Sequence, residues 1–198
     1  MLRAMIDCGG ILKGIDNQSV ATKLLERLSQ DIEGVLFYHD NKEMVLTRDN
    51  KLVPSENSAI PIENRFVYYD QFHTVGADIK HMPTAMAYCS VGPNTTLRDL
   101  LQAVCRLRDL KNEQRITFLI SSLIGHNLST LSDIIGYVAM QEAQEKEKHY
   151  LASIREMVSY PIRSNSMKKL LDSTTQDDSA REILSNGLWY EESKGVGV

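Results

Sequence analysis

Residues 66–120 read FVYYDQFHTVGADIKHMPTAMAYCSVGPNTTLRDLLQAVCRLRDLKNEQRITFLI. An aromatic and β-branched run at 66–69 has the composition of a buried strand, and a second run follows at 85–89. Between them Thr74-Val75-Gly76-Ala77-Asp78 has turn chemistry, with glycine free to take a backbone conformation that other residues avoid. After Thr95-Thr96, a helix-capping pair, Leu97, Leu100, Leu101, Val104 and Leu107 recur at helical spacing, and residues 116–120 form a third apolar run. Strand, turn, strand, helix, strand is the alternation of a mostly parallel sheet with helices on its faces.

The same signals continue upstream. Short apolar runs predict strands at Ala4-Met5-Ile6, at 34–38 and at 44–47, and Val20, Leu24, Leu25 and Leu28 predict a helix between the first two. Asp40-Asn41 lies between two of these strands and marks a hairpin, VLFYHDNKEMVLT. Residues 51–64 are polar, contain two prolines and are expected as a loop. Beyond Gly125 the composition shifts to Glu, Gln, Lys and Ala. An apolar stripe through Leu131, Ile134, Ile135, Val138, Leu151, Ile154, Met157 and Val158 predicts a long helix or helical pair ending at Pro161. A short helix at 167–171, a polar linker at 173–179 and a last helix through Ile183, Leu184, Leu188 and Trp189 are expected after it. The expected organisation is an α/β domain over residues 1–125 and a helical extension over residues 126–198.

The chain has 198 residues, enough for one good core and a small appendage. Its 22 basic and 26 acidic residues give a formal net charge of −4, so no global basic field points to nucleic acid, and any polyanion site must be local. Cys8, Cys89 and Cys105 are an odd set without paired spacing, which implies a reducing compartment, the cytoplasm, and gives no CxxC pattern for zinc. No signal-peptide pattern or long apolar span is present, so no membrane association is expected. The chain opens almost directly into a strand, as a piece of a longer protein would.

Two elements could carry chemistry. In the Thr74–Asp78 turn, Gly76 lets backbone amides approach a phosphate or ribose, Thr74 can hydrogen-bond substrate or backbone, and Asp78 can orient a hydroxyl or a water; the plain alternative is a structural turn capped by its aspartate. In Gln102-Ala103-Val104-Cys105-Arg106-Leu107-Arg108, a helix would place Gln102 and Arg106 on one face, and an arginine fork suits phosphate oxygens; the plain alternative is a solvated basic face.

Taken in order, these elements resemble the second RecA-like domain of superfamily 2 helicases. There motif V, a Thr followed by Gly-x-Asp, comes after a strand, and motif VI, Gln-x-x-Gly-Arg-x-x-Arg, lies on the following helix. Thr74, Gly76 and Asp78 match the first; Gln102 and Arg106 match the second, with Cys105 in place of glycine and the second arginine, Arg108, two residues on instead of three. The wording IDCGG, GVLFYHD, MVLTRD and RFVYYDQFHTVGADIK is most similar to the C-terminal helicase-like region of a family of very large, mostly eukaryotic proteins labelled ubiquitin-thioesterase-like. The resemblance implies a RecA-like fold, a motor driven by ATP and Mg²⁺, an upstream Walker A domain in the same protein, and Arg106 or Arg108 as arginine finger. No Gly-x-x-x-x-Gly-Lys-Ser/Thr occurs in the chain, so it is not expected to turn over ATP alone. Protein and nucleic acid are both open as the substrate moved.

Asp70-Gln71-Phe72-His73 is similar to a Walker B box, but Gln71 stands where the glutamate that activates water would be. The family label also suggests a cysteine hydrolase acting on ubiquitin conjugates, with Cys8 as nucleophile and His73 or His39 as base, against a plain reading of Cys8 as core packing. A third reading is a non-catalytic RecA-like scaffold for protein contact.

Overall fold

The computed structural model describes residues 1–173 apart from His126. Seven strands are present: β1 (Leu2–Ile6), β2 (Gly34–His39), β3 (Lys42–Thr47), β4 (Leu52–Pro54), β5 (Arg65–Tyr69), β6 (Met86–Val91) and β7 (Arg115–Ile120). They form one sheet in the order β4-β3-β2-β5-β1-β6-β7. The five strands from β2 to β7 pair in parallel, and β3 and β4 add to the edge in antiparallel fashion. The β2–β3 hairpin turns at Asp40 and Asn41, both at positive φ, as a two-residue hairpin loop requires.

Helix α1 (Asn17–Arg27) carries β1 over to β2. It starts at Asp16, whose carboxylate accepts the Ser19 N–H. Its far end is closed by Arg48 from the strand edge, which donates to the carbonyls of Leu25, Leu28, Ser29 and Ile32. Helix α2 (Leu97–Val104) carries β6 over to β7 and opens with a capping box between Thr96 and Asp99. α1 buries Val20, Ala21 and Leu25 on one face of the sheet, against Val35, Phe37, Phe66 and Tyr68. The opposite face buries Ala4, Ile6, Val67, Ala87 and Val91 under α2 and under Ile134, Tyr137 and Val138. This is the expected α/β layout of RecA-like kind, a mostly parallel sheet with flanking helices and a C-terminal helix.

Three expectations need correction. Residues 52–54 of the expected loop form edge strand β4. The arginines do not sit on α2, because the helix stops at Val104 with Cys105 as C-cap, and Arg106 and Arg108 lie in the turns that follow. Leu107, which continued the helical spacing, is instead buried from a turn. Finally, α3 (Leu131–Ser173) runs through Pro161 and takes in residues 167–171. A proline removes one N–H and crowds one carbonyl, and no glycine or second proline follows before Ser173 to compound the break. The linker and last helix expected beyond Ser173 lie outside the described residues. The chain divides into compact units Met1–Gln144 and Glu145–Val198, so the sheet unit includes the first turns of α3. Among the described residues no helix is long and apolar enough to cross a membrane.

Candidate functional site

In open parallel sheets the usual ligand crevice lies beyond the carboxyl ends of two neighbouring strands whose connections leave in opposite directions. Here those strands are β1, which leads through α1 to β2, and β6, which leads through α2 to β7. Protein fills that position. Asp7 is buried just past β1; its Oδ1 accepts Ser90 Oγ at 2.6 Å and the Ile11 N–H, and its Oδ2 accepts the Leu12 N–H. The Gly9 N–H donates to Ser90 Oγ at 2.8 Å. Gly9 and Gly92 touch backbone to backbone, leaving no room for a Cβ on either. The crevice is closed, and the candidate chemistry lies to one side of it.

That chemistry sits on the segment of residues 70–85, which joins β5 to β6 with one 3-10 turn, Phe72–Thr74, and no α-helix. Gly76 is at φ 80, a conformation in which a side chain would be strained, and nothing lies within 4 Å of where its Cβ would be. Thr74 is buried, and its hydroxyl donates to the Gln71 carbonyl at 2.9 Å, so it fixes the turn from inside. Ala77 and Ile79 face the core while Asp78 is exposed between them.

Both arginines meet this segment. Arg106 Nη1 donates to the Ala77 carbonyl, and its Nε donates to the Gln102 carbonyl at 3.3 Å. Arg108 Nη2 pairs with Asp78 Oδ1 at 2.9 Å. Four of the six residues read from the sequence are therefore joined directly in two pairs, Gln102 with Arg106 and Asp78 with Arg108, and Arg106 also bonds Ala77, the residue after Gly76. Gln102 takes part through its carbonyl. Thr74 stands behind them as a buried support.

Arg106 has neighbours that the motifs did not reveal. The Tyr38 hydroxyl donates to Glu43 at 3.0 Å; burial first, and then Glu43, push its phenol up to about 12, while the charge of Arg106 acts in the opposite sense. Burial likewise pushes the Tyr69 phenol up, again opposed by Arg106. Tyr69 shares a 2.8 Å hydrogen bond with His81, and burial pushes that imidazole down to about 4. A cavity of about 280 Å³ opens beside Asp78, with Glu43, Arg65, Lys80 and His81 in its wall. Tyr38 stands opposite Glu43 in the β2–β3 register, so the hairpin signal at Asp40-Asn41 contained that pair. No local signal contained Tyr69 with His81.

The residues of the cysteine-hydrolase reading are placed apart. Cys8 is 3% exposed; the neighbouring Cys8 thiol first, and then burial, push the Cys89 thiol far up. His73 is engaged elsewhere: Nδ1 lies 2.7 Å from Asp70 Oδ2, Nε2 lies 3.2 Å from Asn41 Oδ1, and the ring stacks on Tyr38 at 4.1 Å. His39 lies against Phe37 and Asp40. Cys105 is exposed. Among the described residues no hydrogen bond joins Cys8 to a histidine, and no three His, Cys, Asp or Glu side chains gather as metal ligands.

No family model, curated protein or solved structure matches this chain.

Proposed function

We propose that this chain is the second RecA-like half of an ATP-driven motor, completing a nucleotide site whose phosphate-binding loop lies on an upstream Walker A domain of the same protein. One observation carries the reading. The arginine segment and the Thr74–Asp78 turn, about 30 residues apart in sequence, are bonded to each other through Arg106 to Ala77 and Arg108 to Asp78. Two guanidinium groups are thereby held beside an exposed glycine turn with free backbone amides, a donor set suited to phosphate oxygens.

In this reading Arg106 is the finger. Its Nη1 is anchored on the Ala77 carbonyl and its Nε on the Gln102 carbonyl, so its position is fixed before nucleotide arrives and little reorganisation accompanies the reaction. Arg108 is more exposed. Its pairing with Asp78 can be exchanged for phosphate when the other half closes over the site, which couples nucleotide state to domain closure. ATP with Mg²⁺ supplies the phosphoryl group and its charge neutralisation, and the Mg²⁺ is held by the upstream half. The setting is the cytoplasm, where three thiols stay reduced.

The test is ATP turnover by the protein that contains this chain together with its upstream domain. Arg106→Ala should lower kcat by about 10³-fold, the range of arginine fingers, and Arg108→Ala by a smaller factor. Wild-type turnover in both variants would remove the assignment.

A further inference from the structure

A second cavity, about 290 Å³, lies at the carboxyl ends of β1 and β5, and none of Thr74, Gly76, Asp78, Gln102, Arg106 or Arg108 lines it. Its sides are aliphatic, from Leu12 and Ile15, and Phe72 stands in its wall with 80% of its surface exposed. Three carboxylates face it, Asp7, Asp16 and Asp70, against one ammonium, Lys13.

The hydrogen-bond inventory is uneven. Asp70 is saturated: Oδ1 accepts the N–H groups of Phe72 and His73, and Oδ2 accepts from Asn17 Nδ2 and His73 Nδ1. Asp7 is not. Its Oδ1 accepts two donors and its Oδ2 accepts one, from Leu12, leaving a lone pair open. Tyr68, 2% exposed, also lines the cavity, and its hydroxyl has no hydrogen-bond partner among the described residues. Its oxygen opens onto the cavity, where a ligand's donor can reach it.

The electrostatics identify the partner's sign. Burial first, and then the charges of Asp7 and Asp70, push the Tyr68 phenol up. Burial disfavours a charge of either sign, but the two carboxylates that add to the shift, Asp7 and Asp70, attract a cation at the same place. A cation's N–H can donate to Tyr68 Oη and to the open lone pair of Asp7, an aliphatic stem can lie along Leu12 and Ile15, and the Phe72 ring can cover the charge or the stem.

We propose that this cavity binds an alkyl cation, an ammonium or guanidinium on an aliphatic stem, arriving as a free amine or as a lysine or arginine side chain of a peptide. The site is separate from the arginine turn and does not depend on the nucleotide reading.

Titration calorimetry with agmatine tests it, with pentanol as neutral control and an acetyl-Gly-Arg-Gly-amide peptide as second arm. Agmatine should saturate with a Kd on the order of 0.1–1 mM, and pentanol should give no saturation. Phe72→Ala and Tyr68→Phe should each weaken agmatine about fivefold, and Lys13→Glu should tighten it at least about twofold by removing a like charge. Phe72 and Lys13 are exposed, so those variants keep the test valid if Tyr68→Phe fails to fold. Peptide binding as tight as agmatine assigns the site to a protein's basic side chain, and agmatine binding alone assigns it to a free amine. No saturation with either cation, or the same Kd in wild type, Phe72→Ala and Lys13→Glu, would overturn the proposal.

Discussion

Adding one carbon at Gly92 should be among the most damaging small changes in this molecule. A Cβ there would collide with the Gly9 carbonyl oxygen and lie 3.1 Å from its carbonyl carbon; a Cβ on Gly9 would lie 2.8 Å from the Val91 carbonyl carbon and closer still to Gly92 N. Carbon atoms rest at about 3.5–4.0 Å, so relief requires the ends of β1 and β6 to part by roughly 1 Å. Neither end can part cheaply, because Ser90 ties Gly9 to Asp7 and Ile6 is paired with Cys89 one step earlier. Overpacking of this kind costs about 1–3 kcal/mol where side chains can adjust; with backbone on both sides the upper value, about 3 kcal/mol, is expected for Gly92→Ala and for Gly9→Ala. With a urea m-value of about 2 kcal/mol/M, the unfolding midpoint should fall by about 1.5 M. Gly125→Ala, with nothing within 4 Å of its Cβ, is the control and should stay within about 0.5 kcal/mol. Midpoints for Gly9→Ala and Gly92→Ala that match the control would refute the closed-crevice argument.

Arg48→Met removes four guanidinium-to-carbonyl hydrogen bonds at the end of α1. Because the side chain is exposed and water can replace part of them, a loss of about 2 kcal/mol is expected, seen as a melting temperature lower by about 6 °C. His81 gives a pH test: its folded pKa, about 4, lies below the ordinary 6.5, so the unfolded chain takes up the proton first. Its stabilisation is complete above pH 6.5 and is lost as pH falls toward 4. His81→Gln should flatten that part of the urea-midpoint profile, and a profile as steep as wild type would place the acid sensitivity elsewhere.

Much of the sheet was legible because buried parallel strands are continuous apolar runs, and GVLFYH, RFVYY and RITFLI have no other natural reading. β4 was hidden because three residues ending in proline carry no periodicity, and its pairing with β3 is a tertiary fact. The insertion of β5 between β2 and β1 was equally silent, since strand order depends on crossovers and not on local pattern. α2 was read too long because Leu107 keeps the helical spacing; burial, not helicity, is what that leucine satisfies. Pro161 misled in the opposite direction. At the site, motif order brought Asp78 and the arginines onto one list, and the structure joins them. Tyr69 and His81 could not be anticipated because their hydroxyl-to-imidazole contact is made by a turn whose path the sequence does not encode in any short window. Tyr68 was read as strand core, which its burial supports; its unpartnered hydroxyl becomes visible when α1 and the turn after Asp70 are placed around it.

The central claim is that Arg106 acts on nucleotide bound by an upstream partner domain. Single-turnover hydrolysis of ATP by the protein containing both halves, with nucleotide affinity measured alongside, separates chemistry from binding. The account predicts that Arg106→Ala slows the chemical step by about 10³-fold while ATP affinity changes by less than about tenfold. An unchanged single-turnover rate with ATP bound would contradict it.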